Sequence, residues 1–164
     1  ITRKALSWLE ERLNKGLNVV PIAINISPVH FYDELFLEQF KETIKEYNVP
    51  LHLLKLELTE SIELVDFARA KEILTELKKL GIDSSIDDFG VGFSSLSYLP
   101  KLPFTEIKID RSFINSLNDP GMYAVVQTII QLASNLQMKA VAEGIETLEQ
   151  YVILKNMDLY WDTK

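Results

Sequence analysis

The sequence lacks cysteine, and this absence excludes one class of site at once. With no cysteine among 164 residues, neither a disulfide nor a thiolate metal site can form. The two histidines, His30 and His52, fall at loop or helix edges of the pattern, and we interpret both as surface residues. Apolar runs are also short, since none approaches the ~20 residues that span a bilayer, and no signal peptide pattern opens the chain. We therefore expect a cytoplasmic protein, although a longer parent chain can still be tethered to a membrane.

Positive charge is scarce. The chain has 17 lysine and arginine residues against 24 aspartate and glutamate residues, which gives a formal net charge of -7. An acidic surface repels nucleic acid, so we exclude DNA and RNA polymers as partners. A phosphorylated ligand would need a cation to screen it. The alternative interpretation is that the acidic charge only keeps the protein in solution.

Runs rich in β-branched residues alternate with amphipathic helical segments. After a helix over 1–15, the pattern predicts strands over 19–27, 53–59, 84–89, 106–113 and 139–145. Helices are predicted over 31–47 and 66–80, from Pro120 and from Thr147. Five β-α units after an initial helix predict an α/β fold with a parallel sheet. Both an open doubly wound sheet and a barrel fit this order, and the length is short for the roughly 250 residues of a complete TIM barrel.

Each predicted strand carries a charged or metal-competent residue near its C-terminal end. These residues are Asn25, Glu57, Asp87 with Asp88, Lys108 with Asp110, and Glu143. In parallel α/β folds these strand ends meet at one face, where the active site is built. A carboxylate inside an apolar run, such as Glu57, is costly to bury unless it is paired or binds a metal.

The donor set favours hard cations. Oxygen ligands without a histidine or cysteine cluster suit Mg²⁺, Mn²⁺ or Ca²⁺ rather than zinc. Several carboxylates in one place repel one another, and two divalent cations would neutralise them. Such metal pairs drive phosphodiester cleavage. The alternative is that these acids are solvated strand ends, some of them salt-bridged to Lys108.

Five ordered motifs resemble those of one known family. They are Asn25-Ile26-Ser27, Glu57-Leu58-Thr59-Glu60, the run from Asp87 to Leu96, Lys108-Ile109-Asp110, and the run from Ala142 to Thr147. Together with their spacing, they resemble the motifs of EAL domains, which are cyclic di-GMP phosphodiesterases. The resemblance implies a (β/α)8 TIM-type barrel, here a partial one, with residues 1–164 as a single partial EAL domain.

Two features of the family are not found. The Glu-Ala-Leu strand that names it, whose glutamate is a metal ligand, should precede the first helix. Near the other end, Asn156 to Thr163 replaces the family's Gly-Cys-Asp and Gln-Gly-Tyr, so its substrate-site glutamine is missing. Because the helical pattern is already under way at Ile1, we expect this chain to be part of a longer protein and to be inactive alone.

The resemblance also implies a role for each site residue. Two Mg²⁺ or Mn²⁺ ions would be held by Asn25, Glu57, Asp87, Asp88 and Glu143. Lys108 would hold or activate the attacking water together with Glu143, and Glu60 would anchor the loop that completes the catalytic site. Asp110, which follows Lys108 in its motif, is expected to bind substrate.

The implied reaction is hydrolysis of cyclic di-GMP to linear pGpG in bacterial signalling. The implied partners are cyclic di-GMP, a second copy of the chain in a homodimer, and sensor or GGDEF domains of the parent chain. A non-catalytic receptor for cyclic di-GMP is the alternative, although such domains usually lose metal ligands. A Mg²⁺-dependent enolising barrel also uses strand-end acids with a lysine, but it would not explain the run from Asp87 to Leu96.

Overall fold

The strands form one parallel sheet in sequential order. A computed structural model describes residues 1–59, 66–92 and 96–157. Within these residues the strands are β1 (Ile22–Asn25), β2 (Leu54–Thr59), β3 (Asp83–Phe89), β4 (Glu106–Ile109) and β5 (Lys139–Ala142). Each strand pairs with the next in the order β1-β2-β3-β4-β5. A doubly wound sheet reverses its strand order at a switch point, so the sequential order is that of a barrel wall.

Helices precede, follow and separate the strands, although the described residues between β3 and β4 hold only a 3-10 turn, Leu99–Lys101. The helices are α1 (Thr2–Asn14), α2 (Pro28–Phe31), α3 (Phe36–Lys45), α4 (Phe67–Lys79), α5 (Arg111–Asn115), α6 (Pro120–Asn135) and α7 (Leu148–Asn156). Within the described ranges, no helix combines the length and the apolar character that a bilayer span requires.

Alternation along the strands separates the core from the site. In β2, Leu54, Leu56 and Leu58 are fully buried in the hydrophobic core, and they alternate with Lys55, Glu57 and Thr59. Because successive side chains of a strand point to opposite faces, one face of β2 is apolar and packs in the core. The opposite face carries polar and charged side chains, which is the face on which the site is built.

Several predicted elements are shorter than the pattern indicated, and two of them show why. The helix predicted over 31–47 forms only as α3, since α2 ends at Phe31 and the chain then turns, with the Asp33 side chain accepting a hydrogen bond from the Leu35 amide. The strand predicted over 106–113 ends at Ile109. There the Asp110 side chain accepts a hydrogen bond from the Ser112 amide at 2.9 Å. Asp110 is thus the N-cap of α5, and capping favours a helix over continued strand.

Candidate metal centre at the strand ends

Lys108 is the centre of the site. Its Nζ lies 2.8 Å from Glu57 Oε1, 2.8 Å from Asp87 Oδ1 and 2.6 Å from Glu143 Oε1. The three carboxylates come from β2, β3 and the residue directly after β5. Glu143 remains in line with β5 because its amide donates a hydrogen bond to the Ile109 carbonyl at 3.1 Å. One buried lysine of β4, 9% exposed, therefore links the ends of β2, β3 and β5 at one edge of the sheet.

The charge state of Lys108 follows from these contacts. Burial lowers the pKa of the ammonium group, but its contacts with the Asp87, Glu143 and Glu57 carboxylates together outweigh burial, so the pKa of Lys108 is raised above its usual value. Lys108 is therefore an ammonium ion at neutral pH. It donates hydrogen bonds and neutralises part of the negative charge around it.

A β-bulge brings the two neighbouring aspartates to the same place. Between β3 and β4 the register passes from Ile86–Ile107 to Phe89–Ile109, so three steps on β3 match two on β4. Asp88 has φ 54, in the left-handed region that few residues other than glycine, asparagine and aspartate adopt. In a regular strand Asp87 and Asp88 would face opposite sides. The bulge redirects a side chain, as bulges beside active sites often do.

The resulting cluster fits a divalent cation. Asp87, Asp88 and Glu143 offer carboxylate oxygens that all lie within 4.8 Å of one another. Asp87 Oδ1 is buried and has its ion pair with Lys108 but no aligned hydrogen bond within the described residues. The pKa of Asp88 is raised, first by burial and then by the negative charges of Asp87, Asp110 and Glu143. A hard cation with oxygen ligands would relieve this concentration of negative charge.

The other predicted ligands lie at the same edge. Asn25, at the exposed end of β1, is the register partner of Glu57 on β2. The sheet therefore brings Asn25, Glu57, Asp87, Asp88, Lys108 and Glu143 to one edge. Their roles as ligands or catalysts stay predictions.

The structure describes Asp110 but not Glu60. The Asp110 carboxylate caps α5 and is bonded to both the amide and the hydroxyl of Ser112, which lowers the pKa of Asp110. It still lies close enough to raise the pKa of Asp88, so it borders the cluster. Glu60 lies outside the described residues, as do residues 93–95 of the predicted loop and residues 158–164.

A second ion pair in the sheet was missed by the reasoning from sequence. Lys55 Nζ lies 2.6 Å from Glu106 Oε2. Both residues could have been found by the period of two, because Lys55 precedes Glu57 by two residues and Glu106 precedes Lys108 by two. Their polar character inside apolar strands was the available signal.

The fold and the site together define a class of protein. Parallel strands in sequential order, with acidic side chains around a buried lysine at their carboxyl ends, are typical of a β/α-barrel protein with a site for divalent cations. The family model of the EAL domain matches residues 1–161. The chain belongs to the EAL domain family, and the predicted barrel fold is confirmed.

Individual proteins of known sequence or structure agree with this assignment. The chain is 40% identical over 135 residues to cyclic di-GMP phosphodiesterase PA2567 of Pseudomonas aeruginosa, covering 82% of this chain and 23% of that protein. It is 41% identical over 138 residues to the bifunctional diguanylate cyclase/cyclic di-GMP phosphodiesterase MucR of the same species, covering 83% of this chain and 20% of MucR. A solved cyclic di-GMP complex of the PaMucR phosphodiesterase superposes with a TM-score of 0.88 at 36% identity. That match covers 96% of this chain and 64% of the solved chain, so the sequence spans about a fifth of its curated relatives and about two thirds of that solved structure.

Proposed function

We propose that the protein to which this chain belongs hydrolyses cyclic di-GMP to linear pGpG with Mg²⁺ or Mn²⁺. The observation that carries the proposal is the convergence of Glu57, Asp87 and Glu143 on Lys108, with Asp88 beside them. Membership of the EAL family and the names of the relatives support cyclic di-GMP as the substrate. The acidic cluster supplies the means of binding cations next to a phosphodiester.

The chain offers ligands for two cations. Asn25, Glu57, Asp87, Asp88 and Glu143 would hold them. When bound, the cations supply stabilisation of the negative charge that develops on the phosphoryl group and lower the pKa of water. Asp87 lies on β3, which the sheet order places between β2 with Glu57 and β5, which Glu143 follows. Its buried Oδ1 has no aligned hydrogen bond among the described residues, so Asp87 would be the residue shared by both.

Lys108 and Glu143 would position the attacking water. The ammonium group donates hydrogen bonds, whereas the carboxylate accepts them, and the two groups are 2.6 Å apart. A water that contacts both is held by one donor and one acceptor, which restricts its orientation toward the phosphorus. Asp110, at the border of the cluster, would contact substrate, and Glu60 would anchor the loop over the site.

The larger assembly follows from the same proposal. Residues 1–164 would form one EAL unit within a longer chain, and this unit would pair with a second copy in a homodimer. The relative MucR is named as a diguanylate cyclase as well as a phosphodiesterase, which supports a GGDEF or sensor domain in the parent chain.

The receptor alternative has one observation in its favour. Lys108 already neutralises part of the charge of three carboxylates, so the strand ends can pack without a cation. A protein with such a site can bind cyclic di-GMP and signal without cleaving it. Binding and turnover must therefore be measured separately.

The test uses the full-length gene product. Purified protein is incubated with cyclic di-GMP and Mg²⁺ or Mn²⁺, pGpG is quantified by chromatography, and binding is measured by calorimetry with Ca²⁺. We expect turnover by the wild type and its loss in Asp87→Asn with an unchanged circular dichroism spectrum. The matched control is Asp119→Asn, because Asp119 caps α6 through the Met122 amide and asparagine caps as well as aspartate. Full turnover by Asp87→Asn would overturn the site assignment, and binding by the wild type without turnover would establish the receptor alternative.

A further inference from the structure

The ion pair between Lys55 and Glu106 lies directly beneath the metal centre. Its side chains are 23% and 7% exposed, and the Nζ to Oε2 distance is 2.6 Å. The pair joins β2 to β4 across β3, where Ser85 is the register partner of both Glu57 and Glu106. Ser85 is fully buried, and its hydroxyl has no hydrogen-bond partner among the described residues. Its small side chain leaves room for the long side chains of β2 and β4 to meet across β3.

The two strands carry the same charges in opposite order. Along β2 the lysine at 55 precedes the glutamate at 57, whereas along β4 the glutamate at 106 precedes the lysine at 108. Residues two apart on a strand face the same side, about 7 Å from each other. Each lysine is therefore within reach of two glutamates, one across the sheet and one on its own strand. In the structure both lysines pair across the sheet.

The alternative pairing becomes favourable when one partner is removed. A buried carboxylate without a counter-charge is strongly destabilising. If Lys55 lost its charge, Glu106 would need another cation, and Lys108 is two residues away on a flexible stem. If instead Glu106 lost its charge, Lys55 would be free to turn toward Glu57.

We propose that Lys55 and Glu106 are positioning residues that control how much positive charge reaches the metal centre. Lys55 holds Glu106, so that Lys108 stays with Glu57, Asp87 and Glu143. Glu106 holds Lys55 in turn, so that no second ammonium group enters the acidic cluster. The effect on cation binding rests on the function proposed above, whereas the choice of partner by Lys108 does not.

The two single substitutions have opposite expected effects. In Lys55→Met, Lys108 moves toward Glu106, the acidic cluster is less neutralised, and Mn²⁺ binds about fivefold to tenfold more tightly. Turnover nevertheless falls, because Lys108 no longer positions the water. In Glu106→Gln, Lys55 adds its charge to Glu57, and Mn²⁺ binds more weakly by about the same factor. The double variant lacks both charges and should return to within about threefold of the wild-type affinity.

Calorimetric titration of the full-length gene product with Mn²⁺, without nucleotide, measures these shifts. The matched control is Lys41→Met, which breaks a Lys–Glu pair of 2.7 Å between α3 and α4 and should leave Mn²⁺ affinity unchanged. If Lys55 and Glu106 had only a structural role, both single variants would bind Mn²⁺ more weakly. Shifts in the same direction, shifts below twofold, or a double variant that does not recover would each overturn the proposal. If Lys55→Met does not fold, weaker Mn²⁺ binding by Glu106→Gln with recovery in the double variant supports the proposal, whereas tighter binding, a shift below twofold or no recovery overturns it.

A crystal structure of metal-free Lys55→Met, or of metal-free Glu106→Gln if the former does not fold, separates this proposal from the function. We expect Lys108 Nζ against Glu106 in the first and Lys55 Nζ against Glu57 in the second. If the lysine keeps its wild-type position, the positioning proposal is overturned. A wild type that binds no Mn²⁺ overturns the proposed function instead and leaves this structural criterion in force.

Discussion

The carboxylates of Asp87 and Asp88 come within 4.8 Å of each other, although the two residues are neighbours on a β-strand. Their approach depends on the bulge in β3 and on the left-handed backbone of Asp88. The negative charge of Asp88 and the left-handed backbone at this position therefore contribute separately, the first to cation binding and the second to stability. Substitutions of different shape can distinguish them.

Asp88→Asn should keep the fold and lose cation affinity, whereas Asp88→Val should lose stability. Asparagine tolerates φ 54, but a β-branched side chain is strained there by about 1–2 kcal/mol. Urea unfolding of the metal-free proteins measures the difference, and calorimetry with Mn²⁺ measures affinity. Equal unfolding free energies for the two variants would show that the backbone at position 88 relaxes freely.

Gly144→Ala should destabilise the protein more than Gly16→Ala. Both glycines have positive φ, +69 and +66, so both substitutions carry similar backbone strain. A Cβ at position 144 would lie 2.7 Å from Arg111 Cβ, whereas a Cβ at position 16 would meet nothing within 4 Å. We expect a loss of about 1 kcal/mol for Gly16→Ala and about 1–3 kcal/mol more for Gly144→Ala. Similar midpoints of urea unfolding for Gly144→Ala and Gly16→Ala would contradict the close contact with Arg111.

Lys108→Met should lower the melting temperature of the metal-free protein and enlarge the stabilisation by Mn²⁺. Removal of the ammonium leaves Glu57, Asp87 and Glu143 without their shared counter-charge, and a buried unpaired charge is costly. A cation can replace the missing charge and bind only the folded protein, so it stabilises by mass action. Thermal unfolding with and without Mn²⁺ measures the effect. The control is Lys15→Met, which breaks an exposed pair with Glu11. It should change neither the melting temperature nor the stabilisation by Mn²⁺ appreciably.

Glu76 predicts a dependence of stability on acid pH. Hydrogen bonds from Lys41 and then Lys79, with their positive charges, lower the pKa of Glu76 from 4.5 to about 2. Because the folded protein binds the proton more weakly than the unfolded chain, this contribution is complete above pH 4.5 and is lost as pH falls toward 2. The melting temperature of Glu76→Gln should therefore fall less than that of the wild type across this window. Parallel curves for the two proteins would contradict the assignment.

Much of the fold could be predicted from local pattern. The helix start predicted at Thr147 is present, with a capping box between Thr147 and Gln150. The start of α6 predicted at Pro120 is present as well, after the N-cap Asp119. These features depend on residues close in sequence, so local chemistry suffices. The strand predicted over 106–113 was too long because Phe113 is an apolar residue in phase with Ile107 and Ile109. The bond from the Ser112 amide to Asp110 that ends the strand depends on the backbone turning.

The choice between a barrel and a doubly wound sheet needed the tertiary structure. Both folds alternate strands and helices, and they differ only in which strands are neighbours. Strand neighbours are chosen by long-range packing, which local periodicity does not encode. The motifs favoured the barrel only because they resembled those of the EAL family, and not through physical reasoning from the residues.

The sequence by itself determined which residues end the strands, because alternation places charged groups at predictable positions in apolar runs. It therefore predicted that Asn25, Glu57, Asp87, Lys108 and Glu143 would share one edge. Only the tertiary structure decided which charged side chains pair with one another. The bulge that turns Asp88 toward Asp87 exists only in pairing with β4. The pairing of Lys55 with Glu106 rather than Glu57 likewise depends on electrostatic contacts across three strands, because each lysine is within reach of a glutamate on its own strand and another across the sheet.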